Sequence, residues 1–346
     1  MTTHEVNPAS GFMMPAEWSP HTAVWTGWPA DDELWVGELE GVRREFAAFL
    51  HALSRFEPVE LIVGSEEAER DARGRLASAS VRLHRVPHDD VWLRDSGPIF
   101  VAAGDRLRLL NWIFNGWGGK YAAERDSEIP RHVAGILGAR TEDIPIVLEG
   151  GSIEVDGRGT LLTTRQCLLT PTRNPSMSET DLEGVLRARL GVEQVIWLDE
   201  GLEGDHTDGH IDTIARFVDP HTIVTVVSDD PSDSNYAPMQ ANFDRLRSAR
   251  GPDGRPFTVV PLPLPRARRD FDGVRLPLTY ANFYIANGGV LVPLYGDAND
   301  DRALDVLRPL FPDREVVGLE VRHLITGGGA FHCVTQQQPV GLPEHA

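Results

Sequence analysis

Apolar positions along the chain switch repeatedly between a spacing of two and a spacing of three to four, and the switches recur in one order. Alternation turns one face of a strand inward, whereas the longer spacing marks an amphipathic helix. Two short strand-like runs meet at a Gly, Asn or Asp turn, a helical segment follows, and a short buried strand comes next. Gly97–Trp112 reads as a hairpin, Ala122–Leu137 as a helix and Ile144–Leu148 as a strand. Gly151–Thr164 is a second hairpin with Asp156-Gly157 at its turn. Asp181–Leu190 is then a helix, with Ser178 as a candidate N-cap, and Gln194–Leu198 a strand. His210–Val227 turns at Asp219-Pro220 and precedes a helix over Tyr236–Arg250 and a strand over Phe257–Val260. Tyr280–Tyr295 turns at Asn287-Gly288-Gly289, followed by a helix over Asp300–Leu310 and a strand over Glu315–Leu319.

The N-terminal part carries the same pieces in displaced form. Thr22–Trp28 is a strand, Leu39–Phe56 a helix and Val59–Val63 a strand, followed by a helix near Glu66–Ala77 and a strand near Val81–Val86. A lone strand over Phe331–Gln337 has no hairpin partner of its own and is suited to pair with Thr22–Trp28, completing a fifth unit. Repetition closed by a terminal strand predicts a ring, which protects sheet edges. The expected fold is therefore α/β, a pseudo-symmetric five-bladed propeller of ββαβ units in one domain over residues 1–346.

Composition narrows the function. The formal net charge of −19 disfavours nucleic acid and anionic membrane as partners and mildly favours cationic ligands. No apolar run reaches membrane-spanning length, and no basic region followed by an apolar stretch marks a signal peptide. Two cysteines in 346 residues make no disulfide framework, which suits a reducing cytoplasm. The segment Pro261–Arg269, rich in Pro and Arg, is expected to be exposed.

Polar residues stand at equivalent places in the units, at or just before each hairpin. They are Asp95, Glu149, the run Asp205-His206-Thr207-Asp208-Gly209-His210 with Asp212, and Cys333 behind Gly327-Gly328-Gly329. In a ring these positions face a shared axis. Paired carboxylates, Asp95 and Asp212, match a guanidinium. A Cys333 thiolate can attack its carbon, and a histidine can protonate the departing amine. Trp92, three residues from Asp95, can stack on a planar cation. Taken singly, Asp95 equally suits a turn, Trp92 a core position, Glu149 a solvated turn, His210 a strand histidine and Cys333 a buried strand residue. Cys167 reads as a core residue without polar company. A metal-dependent amidinohydrolase built on the Asp/His run 205–212 is one rival, although no second such cluster completes a two-metal site. A non-catalytic ring that binds a polyamine is another.

The motifs WLRDSGPIFV (92–101), FNGWGGKY (114–121), LEGGSIEVDGRGTLLTT (148–164), RNP (173–175), DGHIDTIARF (208–217), NFYIANGGVLVPLYGD (282–297) and GGGAFHCVTQQQP (327–339) together resemble the agmatine deiminase family, related to bacterial peptidylarginine deiminases. The resemblance spans nearly the whole chain. It implies the guanidino-group-modifying (pentein) fold, a five-bladed α/β propeller. It also implies hydrolysis of agmatine to N-carbamoylputrescine and ammonia without metal or organic cofactor, by homodimers or larger assemblies. By the same resemblance Cys333 is the nucleophile, His210 the general acid/base, Asp95 and Asp212 the guanidinium clamp, and Glu149 a support for histidine and substrate. Trp92, His206 and Thr207 are the candidate substrate-binding residues. His206 stands where family members tend to carry an acidic residue, so the group that meets the far end of the substrate is left open between agmatine, another small guanidine such as a guanidino acid, and peptidyl arginine.

Overall fold

Five sheets of three or four strands, and one small two-stranded hairpin, make up the computed structural model, which describes residues 11–344. Each of the five combines an antiparallel pair with a strand added in parallel. A parallel neighbour needs a crossover, and within each unit a helix supplies it. Arg106–Ile113 lies between Ile99–Ala103 and Thr141–Val147, with helix Ile129–Leu137 as the crossover. Glu154–Val155, Thr160–Thr164 and Gln194–Leu198 form the next sheet around helix Glu179–Leu190. Ala215–Asp219, Thr222–Val227 and Thr258–Pro263 follow with helix Tyr236–Ser248, then Tyr284–Ile285, Gly289–Leu294 and Glu315–Glu320 with helix Asp300–Leu307.

The remaining sheet joins sequence-distant strands, as the unpaired patterns predict. His21–Gly27 takes Thr335–Pro339 antiparallel on one side and Val59–Val63 parallel on the other, through helix Leu39–Leu53. Side chains reinforce the register: Trp25 Nε1 donates to Gln338 Oε1 at 2.9 Å and Thr26 Oγ1 to the Val334 carbonyl at 2.7 Å. Helix Leu39–Leu53 buries Phe46, Phe49, Leu50 and Leu53. Phe49 stacks on Phe331 with centroids 4.4 Å apart and planes 4° from parallel. That contact fixes the segment ahead of Cys333.

Ser178 does cap its helix, in a reciprocal capping box with Asp181. Three expectations need correction. The helix expected over 122–137 begins only at Ile129, because Asp126 and Asp89 tie the preceding loop: Asp126 accepts the Asp89 and Asp90 N–H groups, and Asp89 accepts that of Arg125. Pro130 then occupies the first turn, where its missing N–H costs nothing. Residues 331–334 are a turn and the strand starts at Thr335, so Cys333 is a turn residue. In the Pro/Arg-rich segment residues 262–265 are buried, Leu262 and Leu264 in the core, and only Pro261 and the part from Arg266 reach the surface.

Candidate active site

Three short turns at equivalent places bring carboxylates and a histidine together. The helical turn Leu93–Ser96 carries Asp95, the 3-10 turn Gly150–Ser152 follows Glu149, and the 3-10 turn Ile211–Thr213 follows His210 and holds Asp212. Each stands just ahead of the first strand of its sheet. Their side chains meet over Gly151. A Cβ on that glycine would lie 2.6 Å from His210 Nδ1, 2.8 Å from Asp95 Oδ1 and 3.0 Å from Asp212 Oδ2. The missing side chain lets two carboxylates and an imidazole close in on the backbone of Gly151.

Cys333 borders the same group, with Sγ 3.5 Å from Asp212 Oδ2. Asn282 holds the thiol in place. Its Nδ2 donates to Sγ at 3.0 Å, and its Oδ1 accepts the Ala330 and Cys333 N–H groups at 3.0 and 3.2 Å. His332 spans Asp212 Oδ2 and Glu17 Oε2, each at 2.7 Å. Behind it Arg216 pairs with Glu17 at 2.9 Å and Glu154 at 3.1 Å. Arg173 Nε donates to Glu149 Oε1 at 2.7 Å, and its Nη2 to the Thr207 carbonyl at 2.9 Å. Asn282, His332, Glu17, Arg216 and Arg173 were not singled out from sequence. Asn282 and His332 stand inside two of the quoted motifs and Arg173 inside RNP, whereas nothing about Glu17 in its short N-terminal stretch marks it.

The other candidates form the rim. Trp92 abuts Gly327 and Gly329: a Cβ on either would come 2.7 Å from its ring, and one on Gly329 would lie 3.1 Å from Cys333 Sγ. Trp92 thus walls the side next to the thiol, its Nε1 held by Asp90 at 2.8 Å. Trp117 Nε1 donates to Asp95 Oδ2 at 2.9 Å, and its ring meets Tyr121 edge-on. Tyr121 Oη lies 3.2 Å from His206 Nδ1, and His206 Nε2 occupies the place a Gly328 Cβ would need, 1.6 Å away. His206 therefore packs between the glycine turn and Tyr121. Thr207 builds the loop: its hydroxyl donates to Asp205 Oδ1 at 2.6 Å and accepts the His210 N–H at 3.2 Å.

Burial dominates the electrostatics. It pushes Asp95 up to about 6, with Asp212 and Glu149 adding to the rise and His210 opposing it. Burial disfavours charge on His210, but Asp95, the Cys167 contact and Glu149 outweigh it and raise the imidazole well above its ordinary value. Cys333 is pushed well above the usual thiol value by burial and by Asp212 and Asp95, against the Asn282 hydrogen bond. Burial opposes charge on Asp212 too, yet His332, His210 and Arg216 hold it below the usual carboxylate range.

Cys167 departs from expectation. It lies in the short helix Arg165–Leu168 and is buried in the apolar core, but its Sγ, a Glu149 carboxylate oxygen and a His210 ring nitrogen lie within 4.8 Å of one another. Among the described residues this trio is the group of His, Cys, Asp and Glu side chains spaced to receive a metal ion. The run 205–212 diverges instead. Asp205 turns to the Thr207 and His210 N–H groups, Asp208 to Lys120 and Arg173, His206 to Tyr121 and Asp212 to His332.

The Porphyromonas-type peptidyl-arginine deiminase family profile matches residues 13–339. The chain belongs to this family. Curated relatives include the agmatine deiminases of Stutzerimonas stutzeri, 42% identical over 98% of this chain and 99% of that protein, and of Ectopseudomonas mendocina, 40% identical over the same shares. Among solved structures, the agmatine deiminase of Enterococcus faecalis superposes with a TM-score of 0.93 at 32% identity, covering 98% of this chain and 99% of that one. The fold shared with these relatives is α/β throughout.

Proposed function

We propose that the protein hydrolyses agmatine to N-carbamoylputrescine and ammonia through a covalent adduct on Cys333. The convergence of Asp95, Asp212 and His210 over Gly151, with the Cys333 thiol beside Asp212, supports this reading. A guanidinium resists attack because its charge is delocalised. Two buried carboxylates fix its plane, and a soft nucleophile meets its carbon. In the empty site the carboxylates and burial keep the thiol protonated. An arriving cation reverses that local charge and favours the thiolate, the thiol's proton passing to water. Cys333 Sγ then bonds to the guanidinium carbon. His210, held as imidazolium, gives its proton to one nitrogen, the C–N bond breaks, and ammonia leaves. Water attacks the amidino-thioether, His210 takes back a proton, and the C–S bond breaks to release the ureido product and the thiolate. Glu149, anchored by Arg173, supports the imidazole. Trp92 lies along the cation and His206 with Thr207 at its far end.

The same reading takes the five sheets as blades of one propeller-like domain over residues 1–346, closed by Thr335–Pro339 on His21–Gly27, and needs no cofactor. It places the protein in the cytoplasm as a homodimer or larger assembly. Among the described residues no helix is long and apolar enough to cross a membrane, and both cysteines are unpaired.

A second substrate, a guanidino acid such as guanidinobutyrate, is favoured by one observation: His206, not a carboxylate, stands at the proposed far end. An ammonia-release screen over agmatine, arginine, guanidinobutyrate and a peptidyl arginine decides between them. Agmatine is expected to be the best substrate, and a strong preference for guanidinobutyrate would overturn that choice. Cys333→Ala is expected to bind agmatine and release no ammonia; turnover equal to wild type would end the covalent mechanism.

A further inference from the structure

Cys167 has no part in the reaction just described, yet the structure connects it to His210 twice. Helix Arg165–Leu168 is capped by Thr164, whose hydroxyl accepts the Cys167 N–H at 3.2 Å and donates to the Gly209 carbonyl at 2.6 Å. One side chain thus ties the backbone of Cys167 to the residue just before His210. Gln166 adds to this brace: its Oε1 accepts the Gly201 N–H at 2.8 Å and leaves only 2.7 Å to a Cβ on Gly209. The second connection is the side-chain trio of Cys167, Glu149 and His210.

The trio has bonding capacity left over. Both ring nitrogens of His210 and Oε2 of Glu149 are buried without a hydrogen-bond partner, and a buried polar group without a partner is costly. A thiol offers one weak donor and one weak acceptor. It can therefore accept from an imidazolium N–H and remain a tolerable neighbour once that proton has gone. A second carboxylate at this position would hold the proton too firmly, and an aliphatic side chain would offer no bond. The charged and titratable groups facing His210 are Asp95 and Asp212 on the Gly151 side and Glu149, Cys167 and, beyond Glu149, Arg173 on the other.

We infer that Cys167 is a positioning residue for His210, its thiol holding the imidazole between Glu149 and Asp95 while the ring gives up and regains a proton. The inference rests on the deiminase reading for its role in turnover, but the contact itself can be read without turnover. Two variants of the full chain test it, Cys167→Val, which fills the space without a polar atom, and Cys167→Ser, which keeps a hydroxyl. With agmatine, Cys167→Val is expected to lower kcat about 10-fold with KM within about twofold, within the range of acid–base contributions. The basic limb of its kcat profile should move to lower pH, since the Cys167 contact raises the imidazole. Cys167→Ser is expected to recover part of kcat and part of the shift. Titration of the His210 imidazole by NMR should show the same downward shift in Cys167→Val. A purely packing role would change the melting temperature but leave kcat, the limb and the NMR titration unmoved in both variants, and that result overturns the inference. If wild type releases no ammonia from any guanidine, the deiminase reading fails and the NMR titration alone still decides the contact.

Discussion

Replacing Gly151 by alanine tests the centre of the proposed chemistry with one methyl group. The residue lies outside the left-handed region, so alanine fits the backbone, and its N–H keeps the bond to Asp95 Oδ1 at 2.9 Å. The new Cβ would stand 2.6 to 3.0 Å from His210 Nδ1, Asp95 Oδ1 and Asp212 Oδ2, the atoms against which the proposed mechanism sets the guanidinium nitrogens. If the methyl displaces one hydrogen bond to each carboxylate, the loss is two charge-assisted bonds of ~1.5–3 kcal/mol apiece, ~3–6 kcal/mol in all. At ~1.4 kcal/mol per tenfold, kcat/KM for agmatine should fall by a factor of ~10² to 10⁴. The assay is ammonia release over a range of agmatine concentrations, with far-ultraviolet circular dichroism and urea unfolding to establish the folded state. Gly135→Ala, whose Cβ would meet nothing within 4 Å, is the control and should keep full activity. A folded Gly151→Ala enzyme with kcat/KM within about threefold of wild type would refute the placement of the guanidinium, since so small a loss is well under one hydrogen bond.

Three further outcomes are expected. Asp95, raised to about 6, is protonated below that pH and can no longer pair with a cation, so kcat/KM should fall about tenfold per pH unit on the acid side; a profile flat down to about pH 5 would contradict this. Asn282→Asp keeps an acceptor for the Ala330 and Cys333 N–H groups but replaces the donor to Sγ by a charge that disfavours thiolate, so kcat should drop about tenfold or more. Alkylation by iodoacetamide should slow in the same variant. Arg216→Met leaves Glu154 as a buried carboxylate without its cationic partner and takes one of several partners from Glu17, and should cost ~3–5 kcal/mol in urea unfolding.

Local patterns made the repeated unit legible. Short strands with Gly or Asp turns located the hairpins, and the two strands without local partners, near residues 22–28 and 331–337, do pair, with Trp25 opposite Gln336. The recurrence of Asp95, Glu149, His210 with Asp212, and Cys333 at one place in the repeat was also legible, although Cys333 was expected on a strand and lies in a turn. Periodicity failed where a tertiary contact overrode it. The loop before Ile129 is tied to residues 89–90, with Asp126 accepting the Asp89 N–H and Asp89 accepting that of Arg125, and residues 331–334 turn where Asn282 Oδ1 gathers the Ala330 and Cys333 N–H groups. Cys167 is the core residue expected, but its polar company was missed for the same reason: Glu149 and His210 lie outside its own stretch of sequence. Glu17, His332 and Arg216 gain meaning only as a buried chain of charges, and no single-residue signal announces such a chain.

The pairing of His21–Gly27 with Thr335–Pro339 also orders events in time. A chain leaving the ribosome carries Asp95, Glu149, His210 and Asp212 well before it carries Cys333. The gap of 121 residues between Asp212 and Cys333 corresponds to ~6–24 s at ~5–20 residues per second. Throughout that interval His21–Gly27 waits with one edge unpaired, and the carboxylates stand without the imidazole of His332 that later balances Asp212. Cys333 meets Asp212 only when the first sheet gains its missing strand, so assembly of the candidate site and completion of that sheet are one late step of biosynthesis.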